Sequence, residues 1–411
     1  MPPEPNPAIC PRRWSARDGR WIVIGLLLVQ LTLFFQLSPR LNVVQIAHRW
    51  GVLVIPPVFS DLYFIAAAGA THRAGGDPYA ANTFDPLQRP YNYPPIWLHL
   101  SWHTTLSPPV IQLLAVVMGG FGTAAYLWFL GPIDRRRGIL LGVLVASPPV
   151  VLAAQRANAD VLMLGLAALA LGLFRRGHRP AGYASLVAAT WLKLYPLAAL
   201  VVLLREPGDW LRRRAPAVLA AGALGIVVCA GYLGRIFANT PSGGLHSYGA
   251  RVLAFWLDFF LPTYGWTVDR VLLGRVCSLL ALAVGLLALR IGRGPQPLPP
   301  AAVIPTELDG FRIGAAVYLS TFLLSVSFDY RLLFLLLCVP LLVSLASART
   351  PDRVWGLAGI GLVFGIMWPN GLFWKPLLIV KEASSWALYF TLAVLLVRTL
   401  PHDWKEKLRL A

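Results

Sequence analysis

Apolar runs of roughly 15–23 residues recur along the chain between short, arginine-rich polar stretches, and a helix of that length crosses about 30 Å of hydrocarbon. Ten runs predict ten spans: 21–37, 110–130, 139–154, 161–174, 217–233, 271–289, 311–326, 332–345, 354–367 and 384–397. The first follows Arg12, Arg13, Arg17 and Arg20 as a signal peptide would. Ser38-Pro39-Arg40 offers no small-residue cleavage site, however, so the run is read as a retained anchor.

One further run, 181–204, breaks the alternation, because Arg175-Arg176-Gly177-His178-Arg179 precedes it and Arg205, Arg212, Arg213 and Arg214 follow. Two basic flanks belong on the same side of a membrane. Its middle reads Lys193-Leu194-Tyr195-Pro196, and proline both removes a backbone donor and disfavours helix in the residue before it. The run therefore predicts two half-helices that enter from the cytoplasm and return, with Lys193 near the break. Irregular backbone at that depth is tolerated only inside protein or beside a water-filled cavity. With this segment re-entrant, both termini fall on the cytoplasmic side, where Lys and Arg concentrate, and the two large outer loops are 38–109 and 234–270. The second carries Trp256, Asp258, Tyr264 and Trp266, a composition suited to an interfacial helix. No internal repeat or linker divides the 411 residues, so they predict one all-α, polytopic domain, 1–411.

Composition agrees with the bilayer as solvent: 57% of residues are hydrophobic and only 13% charged. The net charge of +18 would suggest nucleic acid in a soluble protein. Here the arginines sit in short loops beside the spans, so the charge reports topology and no nucleic-acid partner is expected. Cys10, Cys229, Cys277 and Cys338 lack metal-ligand spacing, and three lie in apolar runs where a thiol acts as a small hydrophobe. Neither a disulfide nor a metal cluster is expected.

Under this topology the polar residues that loop solvation does not explain gather on the outer side: Asp61 with Tyr63, Asn158 and Asp160, Lys193 with Tyr195, and Asp329-Tyr330-Arg331. Ionisable groups in or against hydrocarbon are functional candidates by default. Asp61 could act as a general base, or be a helix N-cap, since Ser60 and Asp61 both suit the start of a helix. Lys193 could hold a phosphate as a point charge, or pair with a structural carboxylate. Arg331 could grip a phosphate through two parallel hydrogen bonds, or close its turn on Asp329 or Asp160. The tyrosines and prolines from Asp77-Pro78-Tyr79 to Tyr91-Asn92-Tyr93-Pro94-Pro95 could stack on a sugar, or pack the outer loop. His72, His99, His103 and His246 have no metal-site context; His99 and His103 are four apart, but no HExxH glutamate lies between them. A P-loop, a GxGxxG after a strand and a GxSxG elbow are all missing, which argues against nucleotide hydrolysis and elbow hydrolases.

The series Asp61-Leu62-Tyr63, Gly76-Asp77-Pro78-Tyr79, Tyr93-Pro94-Pro95, Arg156-Ala157-Asn158-Ala159-Asp160, Lys193-Leu194-Tyr195-Pro196 and Asp329-Tyr330-Arg331 resembles bacterial members of glycosyltransferase family 87 in order and spacing. These are C-type membrane glycosyltransferases. The resemblance implies a C-type architecture and a hexosyltransferase of the bacterial plasma (inner) membrane with its site on the outer face. It implies a polyprenyl-phosphate sugar donor, mannose by default, a lipid or glycan acceptor, and membrane lipids as further partners. Transfer would invert the anomeric carbon, with Asp61 as base. Lys193 and Arg331 would hold the donor phosphate, and Tyr63, Asn158, Asp160, Tyr195, Asp329 and Tyr330 would bind or orient substrate. Relatives often carry glycine where this chain has Ala157. No cofactor is implied, because the leaving phosphate is already weakly basic, and a divalent cation stays open. A transporter or flippase would also use a broken helix and a buried lysine. Against it stand the absence of an inverted repeat and the gathering of polar residues at one face.

Overall fold

The computed structural model describes residues 18–36, 52, 56–101, 106–206, 208–241, 244, 246–293, 304–324, 326–369 and 375–400. Of the outer loop expected at 38–109, residues 38–51, 53–55 and 102–105, His103 among them, lie outside the described residues, as does Cys10. Helices dominate, and among the described residues one two-residue antiparallel strand pair joins Ser247–Tyr248 to Ser327–Phe328.

Among the described residues, four helices are long and apolar enough to cross a membrane: Pro108–Leu130, Gly208–Asn239, Arg270–Gly292 and Leu377–Arg398. Two more runs are bent, Arg135–Val145 meeting Pro148–Gln155 at 59° and Asp329–Leu337 meeting Val339–Ser347 at 50°. Proline opens the second half of each, at Pro148-Pro149 and Pro340, where it suits a helix start but cannot continue the preceding turn. The expected ten full spans are thus corrected to four, or six if each bent pair crosses as one. Length is the main reason. At 1.5 Å per residue, helices of 17 residues (Arg20–Gln36 and Ala159–Arg175) and 16 residues (Asp352–Met367) reach only about 25 Å. Pro305–Leu324 has 20 residues but buries Glu307, Asp309 and Arg312 in its first half.

Apolar side chains such as Leu113, Val116, Val227 and Leu279 are exposed on three of the four long helices, as lipid-facing surfaces require. The protein core centres on Ala159–Arg175, which packs between Pro108–Leu130 and Arg179–Leu192. Its small residues allow close approach. A Cβ on Gly165 would stand 2.7 Å from the Phe121 ring.

The run 181–204 is broken where its sequence indicates. Helix Arg179–Leu192 ends at Lys193, whose backbone is extended at φ −151° and ψ 134°, and a 3₁₀ helix, Tyr195–Arg205, follows. The halves fold back on one another. Glu206 accepts a hydrogen bond from the Tyr183 hydroxyl at 3.0 Å and pairs with Arg179 at 3.1 Å, so the end of the second half returns to the start of the first. Lys193 stands at the other end of this hairpin.

Cys229, Cys277 and Cys338 are buried free thiols. Helix Val252–Phe260 and the turn Leu261–Tyr264 after it leave Phe259, Tyr264 and Trp266 exposed, the amphipathic form that the loop's composition suggests.

Candidate active site

Three helix ends and a strand pair build the site. Helix Pro148–Gln155 closes with Arg156 and Ala157, where the backbone turns left-handed (φ 45° at Ala157). The Ala157 N–H bonds to the Ala154 carbonyl and the Asn158 N–H to the Ala153 carbonyl, the pattern that normally places glycine at the left-handed position. Asn158 then starts Ala159–Arg175, its Oδ1 accepting from the Asp160 N–H at 2.9 Å. Backbone bonds stitch this corner to helix Ser60–Arg73: Phe59 N–H to the Gln155 carbonyl at 2.9 Å, and Asp61 N–H to the Arg156 carbonyl at 3.1 Å.

Asp61 is therefore held in the first turn of its helix, where its carboxylate caps no backbone N–H and faces side chains instead. Arg156 binds it with two bonds, Nε to Oδ2 at 2.9 Å and Nη2 to Oδ1 at 2.6 Å. Arg89 Nη1 adds a bond to Oδ1 at 3.1 Å, and Asn158 Nδ2 one to Oδ2 at 2.6 Å. Each carboxylate oxygen accepts twice, which fills its lone-pair positions. Burial favours the neutral acid, but the two guanidiniums and the amide outweigh it and hold the Asp61 carboxyl below the usual carboxylate range.

Asn158 links this group to a second one. Its Oδ1 also accepts from Lys193 Nζ at 3.3 Å, and Lys193 forms a direct ion pair with Asp160. The Lys193 ammonium lies 4.9 Å from the Tyr93 ring centre, with Tyr330 at 5.7 Å and Tyr195 at 5.8 Å. An aromatic enclosure of this kind stabilises a buried cation. Arg331 closes the chain, with Nε 3.7 Å from Asp160 Oδ2, Nη1 donating to Ser327 Oγ at 3.0 Å, and its guanidinium 5.0 Å from the Tyr195 ring. The strand pair positions it, because the Asp329 N–H bonds to the His246 carbonyl at 3.0 Å as the 3₁₀ helix Asp329–Leu337 begins. Runs of 3₁₀ helix longer than three or four residues are uncommon. The two here, of 11 and 9 residues, both start at this cluster.

The structure brings together Asp61, Asn158, Asp160, Lys193, Tyr195, Tyr330 and Arg331. Two expected site residues sit elsewhere. Tyr63 packs against the apolar cluster that holds Phe59, Leu62, Ile111 and Ala157, and Asp329 pairs with Lys381, whose Nζ is 2.5 Å from Oδ2. Lys193 has the carboxylate partner that its structural reading required, which leaves a phosphate role dependent on Asp160 sharing it. Three cations escaped the sequence reading: Arg89, Lys381 and the role of Arg156. Asp85 binds Arg89 through Nε at 2.9 Å and Nη2 at 3.0 Å, so the spacing Asp85-x-x-x-Arg89 was the available signal. Lys381 stands just before the last apolar run, where a charge merits a search for a buried partner.

No family model, curated protein or solved structure matches the chain.

Proposed function

We propose that the chain is a membrane glycosyltransferase that moves a hexose, with mannose the first candidate, from a polyprenyl-phosphate donor to a lipid or glycan acceptor with inversion at the anomeric carbon. The observation that supports this reading is the hydrogen-bonded and ionic series Asp61, Asn158, Lys193, Asp160, Arg331, assembled from four distant parts of the sequence at one end of a broken hairpin. In this reading a bacterial plasma membrane holds the protein, with the site toward the outer face.

The acceptor hydroxyl attacks the anomeric carbon, its proton passes to Asp61, and polyprenyl phosphate departs from the opposite face. One carboxylate suffices for inversion. Arg331 and Lys193 supply positive charge where the leaving phosphate gains negative charge, and Asp160 keeps both in place. Asp61 can take a proton only after one of its four hydrogen-bond donors has moved away.

The test is transfer of radiolabelled sugar into lipid and glycan fractions by membranes containing the protein, with polyprenyl-phosphate mannose, other polyprenyl-phosphate sugars and nucleotide sugars supplied in parallel. Transfer from a polyprenyl-phosphate sugar is expected. Movement of an intact lipid-linked sugar across the membrane, with no transfer from any donor, would replace this reading by a transporter.

A further inference from the structure

The two arginines on Asp61, Arg89 and Arg156, are differently restrained. Asp85 binds Arg89 through two side-chain bonds and accepts from its main-chain N–H, Arg89 also donates to the Ser60 carbonyl at 2.7 Å, and it lies 4.6 Å from the centre of the Phe64 ring. Arg89 is thereby fixed whether or not Asp61 is present. The Arg156 guanidinium, among the described residues, hydrogen-bonds to Asp61 alone. It projects from the strained corner at Ala157, with its side chain 13% exposed. Its two bonds take the geometry with which arginine grips a phosphate as readily as a carboxylate.

We infer that Arg156 is a phosphate-binding residue which Asp61 occupies until a phosphomonoester or phosphodiester displaces it, so that seating the phosphate uncovers the Asp61 carboxylate. The inference deepens the proposed function and rests on it for the identity of the phosphate: polyprenyl phosphate, bound beside Lys193 and Arg331. The exchange needs no other donor to leave, since Arg89 and Asn158 can keep Asp61 oriented while Arg156 swings away. It also accounts for a base that is saturated before substrate arrives. Losing Arg156 frees one acceptor position on each oxygen and removes the largest single influence that holds the carboxyl low.

The consequence has an unusual sign. If Asp61 competes with the phosphate, removing its charge strengthens phosphate binding, because apparent affinity is the intrinsic affinity multiplied by the fraction of protein in which the site is open. Binding of sugar-free polyprenyl phosphate to detergent-solubilised, full-length protein is the measurement, with thermal melting to verify folding. Asp61→Asn is expected to bind about tenfold tighter than wild type, Arg156→Gln about tenfold weaker, and the double variant no tighter than Arg156→Gln. Equal or weaker binding by a folded Asp61→Asn overturns the inference and leaves the glycosyltransferase reading intact. Failure of every folded variant and of wild type to bind polyprenyl phosphate overturns both. If Asp61→Asn does not fold, Arg156→Gln decides alone, because unchanged binding there removes Arg156 from the site.

Discussion

Two buried clusters of arginines and carboxylates tie this molecule together, and they are wired in opposite ways. At one end of the hairpin a single carboxylate, Asp61, is shared by Arg156, Arg89 and Asn158. At the other, two carboxylates, Glu206 and Asp309, sit among Arg179, Arg205 and Arg312, with Asp309 3.2 Å from Arg205 and 3.5 Å from Arg312. Arg312 also donates to the Thr399 carbonyl, so this second cluster bolts helix Pro305–Leu324 to the end of the last helix and to the hairpin's closed end. The excess of donors around Asp61 keeps its carboxyl low, whereas burial, with Glu206 nearby, pushes Asp309 up to about 6 despite its two arginines. A carboxylate held by one displaceable arginine beside donors that are fixed elsewhere suits exchange with an anionic ligand. A cluster anchored to backbone carbonyls suits a clamp.

Breaking the clamp is expected to have the largest effect on stability. Arg312→Leu removes the donor to the Thr399 carbonyl and one of the two arginines on buried Asp309, leaving Arg205 at 3.2 Å, and should lower stability by about 2–3 kcal/mol, read by thermal or denaturant unfolding in detergent. Arg156→Gln should cost less, because Arg89 and Asn158 still satisfy Asp61. A loss from Arg156→Gln equal to that from Arg312→Leu would erase the distinction between the two clusters.

Acidity separates them by sign. A carboxyl raised to about 6 in the folded protein contributes stability that is full below its usual value near 3.8 and is lost as pH rises through 6. Wild type should therefore gain stability relative to Asp309→Asn between pH 7 and pH 5. The lowered Asp61 carboxyl contributes above the usual value, and that contribution is lost only as pH falls through its depressed value. The difference between wild type and Asp61→Asn should stay flat from pH 7 to pH 5. Melting curves across that range decide both, and a slope in the Asp61 comparison would contradict the assignment.

The smallest effect expected is at the corner behind Arg156. Ala157 holds a left-handed conformation that costs a residue with a Cβ about 1 kcal/mol. Ala157→Gly should raise stability by about that amount in the same unfolding assay. No gain would mean that other contacts of the Ala157 methyl, which is buried against Leu62 and Ile111, offset the strain.

Much of the candidate site was legible in the sequence because its parts are costly exceptions in an apolar chain. Lys193 beside a proline, and Asn158 and Asp160 at the start of an apolar run, stand out from composition alone, and the structure joins them. Arg89 did not stand out, since an arginine in a polar outer loop looks solvated and its pairing with Asp85 depends on a non-helical turn. Asp329 was read with its neighbour Arg331, yet side chains two apart diverge, and its partner Lys381 comes from a helix 52 residues further on. The span count failed for a related reason. Apolar runs mark where a helix is buried, and a 17-residue helix enclosed by protein, such as Ala159–Arg175, has the same composition as one facing lipid.

The most direct test compares the two clusters in one reaction: transfer of labelled mannose from polyprenyl-phosphate mannose by wild type, Asp61→Asn and Asp309→Asn, each brought to equal amounts of folded protein. The account predicts that Asp61→Asn is slower by about 10²–10⁴-fold, the range for loss of a general base, while Asp309→Asn stays within a few-fold of wild type. Equal rates for wild type and Asp61→Asn, or an equal loss in both variants, would contradict it.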